Sequence, residues 1–317
     1  MERLNTPFPC EYDVIVAGGG PAGIAAAVSA ARLGARTALV ERYGILGGML
    51  TSGHVQPILG HAQGRTMYDE IVELLTAGHE DVIPLVTRNG KEIGIDLEEA
   101  KYRLLKLCVD SGVYVYLQTV VADVLKEENR VTGVKICTPM GLQTLHAPVV
   151  VDSTGDGFVA ALSGAPFEMG RASDGKCQPV TLEFTVDNVD ESVGITAWGG
   201  SDPVTLPDGT KYSDACKAAN ARGELPENVS IVRLHRTATP GERNVNATQV
   251  NGRCCGGKGL LFPECPGVRS ARSCRRCPFG CPVPDQSGPC GGCLYPETYL
   301  SRRIRWRYGR ISGRFRQ

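Results

Sequence analysis

"DVIVAGGGPAGIAAAVSAARLGARTALVERYGILGGML", residues 13–50, decides the fold. From Val14 to Ala31 it holds no charged side chain, and eighteen uncharged residues approach the length of a membrane-spanning helix. Five of them are Gly or Pro, crowded into "GGGPAG", and most of the others are alanines that gain little from leaving water. A strand, a turn and a helix account for the same residues better. "DVIVA" is a β-branched run suited to a buried parallel strand, and "GIAAAVSAARLG" is a helix of small residues that ends at Gly34.

The turn between them, Gly18-Gly19-Gly20-Pro21-Ala22-Gly23, fits G-x-G-x-x-G with the flanks that motif requires. Gly18 permits the tight exit from the strand. Gly20 lets backbone N–H groups approach a pyrophosphate with no Cβ in the way, and Gly23 lets the helix pack closely on the sheet. A second strand, "RTALVE", ends in Glu41, 23 positions after Gly18. A carboxylate there can accept hydrogen bonds from both ribose hydroxyls of an adenosine half, and it repels a 2′-phosphate, which disfavours NADP in this turn.

The 317 residues allow two domains and a sizeable core. "MERLNTPFPCEY" has no apolar leader region, so a cytoplasmic protein is expected. A formal net charge of zero hides two unlike parts. From Arg253 onward there are 12 Arg and 1 Lys against 3 acids, a balance of +10, whereas the first 252 residues carry 21 basic and 31 acidic side chains, or −10. Eight of the 13 cysteines also follow residue 252.

Beyond Glu41, "RYGILGGMLTSG" is too rich in glycine for a helix. "TMYDEIVELLTAG" and "LEEAKYRLLKLCVDSG" show helical spacing, and "VYVYL" reads as a third strand. "TVVADVLKEENRVTGVKICT" and "LQTLHAPVVVDSTGDG" read as a small antiparallel meander that returns to a last parallel strand. The expected architecture is α/β: a Rossmann-like dinucleotide-binding domain over residues 1–165 with a β-meander layer. A truncated mixed α+β domain is expected over 166–252, with "QPVTLEFTV" and "NVSIVRLHRTATPGERNVNATQV" as strands and "DGTKYSDACKAANARGELPEN" as a surface insertion.

Taken together, the first glycine turn, Glu41, the pair Gly47-Gly48 followed by "MLTSG", Thr119-x-Val121-x-x-Val124 and "VVVDSTGDGFVAALSGAPFE" resemble an FAD-dependent oxidoreductase. The resemblance is to the broad family related to the flavin subunit of heterodisulfide reductase, and it covers about residues 12–252. It implies that Gly18, Gly20, Pro21, Ala22 and Gly23 face the pyrophosphate and that Glu41, with Arg42 beside it, faces the adenosine ribose. Gly47 and Gly48 would face the ribityl-flavin side, Val121 the adenine through its backbone, and Gly155 with Asp156 the middle of the cofactor. The second glycine loop favours FAD over NAD, because an extended FAD runs past it toward a second domain whereas a nicotinamide dinucleotide needs no such pair. Plain readings stand beside these: a loop for Gly47-Gly48, an Asx cap of the helix "GFVAALSG" for Asp156, and core packing for Val121.

A flavin performs hydride or electron transfer itself, and the protein orients and tunes it. A small-molecule substrate and an electron acceptor are therefore the expected partners, with no membrane and no nucleic acid. His54 is the one candidate acid or base, against the plain reading of a hydrogen-bonded loop histidine. No C-x-x-C precedes residue 253, and Cys10, Cys108, Cys137, Cys177 and Cys216 are expected to be reduced, structural thiols.

Residues 253–317 do not resemble the family. Cys274, Cys277, Cys290 and Cys293 form two C-x-x-C pairs that could close a zinc site or, with Cys281, hold an iron–sulfur cluster. "RRIRWRYGRISGRFR" interleaves Arg with aromatic residues, as a nucleic-acid-binding tail would. The favoured reading is out-of-frame translation, because Arg, Gly, Cys and Pro are what G- and C-rich codons yield in a shifted frame. On that reading the segment that closes over the flavin in relatives is missing; the alternative to an enzyme is a non-catalytic remnant, or a protein that binds metal or nucleic acid through this tail.

Overall fold

A computed structural model describes residues 8–55, 58, 62–78, 85–87, 90–92, 94–192, 196–197, 204–249, 252–254 and 261–263, all within one compact unit. The unit begins with β1 (Val14–Ala17), α1 (Pro21–Arg32) and β2 (Thr37–Val40), followed by α2 (Met67–Thr76) and a short antiparallel pair, β3 (Leu85–Thr87) with β4 (Gly90–Glu92). Then come α3 (Leu97–Asp110), β5 (Tyr114–Tyr116), β6 (Val120–Glu127), β7 (Arg130–Thr138), β8 (Gly141–His146), β9 (Val149–Asp152) and α4 (Phe158–Ser163).

Four of these strands form a wholly parallel sheet in the order β5-β2-β1-β9. Strand β1 is its switch point: the chain leaves it through α1 to reach β2 on one side and returns last to β9 on the other. A crevice at the carboxyl ends of the strands is the geometric consequence.

Alternation along these strands explains why both faces are covered. Val16 and Leu39 pack with Ile24, Ala27 and Val28 of α1 and Leu104 and Cys108 of α3. Ile15, Ala17, Ala38 and Val40 point the other way, onto Val121, Val124, Val134, Ile136 and Leu145 of the antiparallel meander β6-β7-β8. The sheet is thus the middle layer of three. At the N-terminus of α2, Thr66 and Asp69 form a reciprocal capping box, and Asp96 accepts from the N–H of Glu99 at the start of α3.

The rest comprises β10 (Glu183–Val186), α5 (Tyr212–Ala221), β11 (Arg233–Arg236) and β12 (Arg243–Asn246), then β13 (Gly252–Cys254) paired with β14 (Leu261–Pro263). Strand β12 lies between β10 and β11, antiparallel to both. This is the expected Rossmann-like α/β domain followed by a mixed α+β part. The segment expected as a surface insertion carries α5, whose Cys216 is buried and whose Tyr212 hydroxyl donates to the carbonyl of Val232. Beside β12's start, the buried Arg243 guanidinium is gripped by both oxygens of Glu191, at 2.8 and 3.0 Å. Among the described residues no helix is long and apolar enough to cross a membrane.

Candidate functional site

Three loops meet where β1, β2 and β9 end. Gly18 leaves β1 with φ +97°, and a Cβ there would stand 2.4 Å from the carbonyl oxygen of Ser153, so the turn and the loop after β9 touch backbone to backbone. A Cβ on Gly23 would stand 1.8 Å from the carbonyl oxygen of Gly18, which is the close packing of helix on strand that the motif requires. Gly20 differs. It is the N-cap of α1, no side chain caps the helix, no acid occupies its first turn, and a Cβ built on Gly20 would meet nothing within 4 Å. The first N–H groups of α1, the positive end of the helix, are therefore left without a capping side chain.

Glu41 closes one side of this space. It is buried, its Oε2 accepts the N–H of Gly19 at 2.6 Å, and its Oε1 accepts the N–H of Tyr43 at 2.7 Å. Each carboxylate oxygen keeps a further lone pair for a hydroxyl donor. The carbonyl of Glu41 accepts the N–H of Thr119 at 2.9 Å, which brings the start of β6 and Val121 to the same end of the sheet. The Val121 side chain is buried in the core below the sheet.

The second glycine pair lies on the first turn. The N–H of Gly47 donates to the carbonyl of Gly19 at 2.8 Å, and a Cβ on Gly48 would stand 2.9 Å from the Cα of Gly20. A single 3₁₀ turn, Gly48–Leu50, interrupts the loop that the sequence suggested, and the buried Thr51 hydroxyl donates to the carbonyl of Leu46 at 2.6 Å.

On the β9 side, Asp156 is exposed and faces Arg42 at 3.9 Å; the Arg42 guanidinium lies 4.9 Å from the centroid of the Tyr43 ring. The Asx-cap reading of Asp156 does not hold. Gly157 is the N-cap of α4 and uses no side chain, while Asp152 accepts from the N–H of Ala160 at 2.8 Å and the Thr154 hydroxyl accepts from Phe158. Burial opposes ionisation of Asp152, but the N–H groups of Ala160 and Thr154 and the Thr154 hydroxyl hold its carboxyl below the usual range. Gly155, at φ +78°, also faces open space.

The structure thus brings Gly18, Gly20, Pro21, Ala22, Gly23, Glu41, Arg42, Gly47, Gly48, Gly155 and Asp156 to one end of the parallel sheet. The description "FAD dependent oxidoreductase" fits residues 13–268 as a family match, most of the chain. The chain belongs to that family. As a family member it is 32% identical over 198 residues to a thiamine thiazole synthase of Aeropyrum pernix, covering 57% of this chain and 68% of that protein. It is 29% identical over 167 residues to a digeranylgeranylglycerophospholipid reductase of Thermoplasma volcanium, covering 46% of this chain and 39% of the reductase. The chain therefore spans about two fifths of the length of that reductase. Among solved structures, a geranylgeranyl bacteriochlorophyll reductase-like protein of Thermoplasma acidophilum matches with 17% identity and a TM-score of 0.48, over 75% of this chain and 56% of that one.

The residues of this family member fit an extended dinucleotide: a Cβ built on Gly20 meets nothing within 4 Å and would enter space left open beside the helix start, whereas one built on Gly48 would stand 2.9 Å from the Cα of Gly20. His54 lies farther along the second glycine loop, at φ +55°. Sequence reading missed what faces it. The buried Asn244 of β12 donates its amide N–H to the carbonyl of His54 at 2.9 Å. Asn246, two residues on, donates to Glu183 of β10 at 3.0 Å, and burial pushes the Glu183 carboxyl up to about 6 against the opposing pull of Asn244, Asn246 and Arg233. The alternation Asn244-Val245-Asn246 was the available signal, since period two puts both amides on one face.

Cys10, Cys108, Cys137 and Cys216 are free thiols, as expected, but Cys177 is disulfide-bonded. Sequence spacing carries no information about which thiols approach in space, which is why the expectation failed there. Cys274, Cys277, Cys281, Cys290 and Cys293 lie outside the described residues. Among the described residues no cluster of three His, Cys, Asp or Glu could hold a metal ion.

Proposed function

We propose that this chain binds FAD across the ends of β1, β2 and β9 and serves flavin-mediated oxidoreduction of a small molecule. The observation that carries the proposal is the open space in front of Gly20, bounded by Glu41 on one side and by Gly47 and Gly48 on the other. In this reading the N–H groups of Ala22 and Gly23 receive pyrophosphate oxygens, Glu41 accepts ribose hydroxyls, and Arg42 neutralises phosphate charge at the mouth. Val121 offers backbone to the adenine, and Gly155 and Asp156 border the middle of the cofactor. Bound FAD supplies the hydride-accepting chemistry. The chain's own part is to orient the cofactor, to exclude water behind Leu46 and the Gly47–Leu50 turn, and to present the polar face of β10 and β12 to the substrate side.

The second glycine pair and the "STGDG" segment support a relationship to the flavin subunit of heterodisulfide reductase within the wider family. The matched relatives carry unlike names, so no substrate is carried over from them, and the electron acceptor is left equally open. Zinc or iron–sulfur ligation by Cys274, Cys277, Cys290 and Cys293 is the second reading, supported by their two C-x-x-C pairs.

Purification tests both. Yellow protein that bleaches with dithionite and releases FAD on heating supports the flavin reading. Colourless protein carrying one zinc per chain overturns it in favour of the cysteine pairs.

A further inference from the structure

Two buried polar atoms beside the second glycine loop have no hydrogen-bond partner: Oδ1 of Asn244 and Nδ1 of His54. Such atoms cost stability and are rare in native chains without a reason. Rotation cannot relieve Asn244. Its amide nitrogen donates to the carbonyl of His54, which can only accept. Exchanging nitrogen and oxygen would set oxygen against that carbonyl oxygen, so Oδ1 is held as a fixed acceptor aimed elsewhere. His54 is pinned as well: it occupies the left-handed region at φ +55°, its carbonyl is held by Asn244, and its N–H donates to Thr51 at 3.2 Å. Backbone strain retained beside an unsatisfied acceptor points to a ligand.

The chain path says which ligand edge reaches there. Glu41 occupies the ribose side of the glycine turn, so the other half of an extended dinucleotide lies beyond the pyrophosphate, along the loop that starts at Gly47. That loop folds back on itself through Gly53 N–H to the Gly48 carbonyl at 3.0 Å and Val55 N–H to the Met49 carbonyl at 2.9 Å, bringing His54 close to the second glycine pair.

Resting on the FAD reading above, we infer that Asn244 and His54 receive the imide edge of the isoalloxazine ring. Asn244 Oδ1 accepts the ring N3–H, and His54 Nδ1–H donates to a neighbouring ring carbonyl. The edge supplies a donor beside an acceptor, the complement of the two orphaned atoms. It also gives β12, outside the parallel-sheet domain, a direct part in fixing the ring.

The test compares FAD with FAD methylated at N3, titrated into apoprotein and followed by flavin absorbance and fluorescence. The native chain is expected to bind the methylated cofactor roughly tenfold or more weakly, because a buried acceptor is left unpaired. In Asn244→Ala the two cofactors are expected to bind equally; Asn244→Ser carries the same expectation should the alanine variant fail to fold by circular dichroism. Equal binding of both cofactors by the native chain overturns this inference and leaves the FAD reading standing. A preference for FAD that persists undiminished in the folded Asn244 variant overturns it too. Failure of the native chain to bind either cofactor removes the FAD reading and this inference with it.

Discussion

Glu41 and Gly19, 22 residues apart in sequence, are joined by a buried hydrogen bond of 2.6 Å from the glycine N–H to the carboxylate. The same carboxylate takes the N–H of Tyr43, so one side chain ties the end of β2 to the turn after β1. Glu41→Ala strands both donors and is expected to cost about 2–4 kcal/mol, a fall in Tm of roughly 5–15 °C. Glu41→Gln keeps one acceptor and should lose less. A thermal melt of the alanine variant that overlays the native one would show that the carboxylate has no structural role.

Gly20 and Gly23 separate ligand approach from packing. Gly20→Ala introduces a Cβ into open space at an N-cap of φ −72° and should change stability by less than about 1 kcal/mol while weakening FAD binding roughly tenfold. Gly23→Ala drives a Cβ into the Gly18 carbonyl and should lower stability strongly, with binding lost as a result. Denaturant titration alongside flavin binding distinguishes them. Comparable stability losses in the two variants would contradict this division.

Glu183 makes folding pH-dependent on the neutral side. Its carboxyl titrates at about 6 in the folded chain, raised by burial from an ordinary value of 4.5, so folding favours its protonated form. That contribution is full below about pH 4.5 and is lost as the pH rises through 6. Glu183→Gln is therefore expected to match the native chain most closely at low pH and to gain on it by about 1–2 kcal/mol above pH 6. Urea midpoints measured from pH 4.5 to 7.5 check this; a stability difference that does not move with pH speaks against it.

Thiol reactivity should follow exposure. Burial pushes the Cys108 thiol up to about 12, and the side chain sits between α3 and the sheet, whereas Cys10 and Cys137 are exposed. Iodoacetamide under native conditions is expected to label Cys10 and Cys137 first and Cys108 only after denaturation, read by peptide mass mapping. Early labelling of Cys108 would mean that α3 does not cover it.

The parallel sheet and its glycine turn were legible because each signal is local: a β-branched run, three glycines at fixed offsets, and an acid at the end of the next strand. The same locality left an Asx cap open as the plain alternative for Asp156, and that alternative fails. An Asx cap can be supplied from several offsets, and here Asp152 and Thr154, farther back on the strand end, reached the helix first. Helix α5 was hidden by its flanks, since Asp208-Gly209 before it and Gly223 after it look like a loop while Tyr212 and Cys216 sit one turn apart inside. The Asn244–His54 bond spans 190 residues. No periodicity in one segment tells which distant loop its strand will face.

Gly19 is held by both of its backbone groups, the N–H by Glu41 and the carbonyl by Gly47. The bend that would cradle a diphosphate is consequently shaped by the fold itself, with its conformational entropy already surrendered during folding. An incoming cofactor has little left to organise at that end, so its capture there is a rigid encounter, and any slow adjustment is left to the ring end of the molecule.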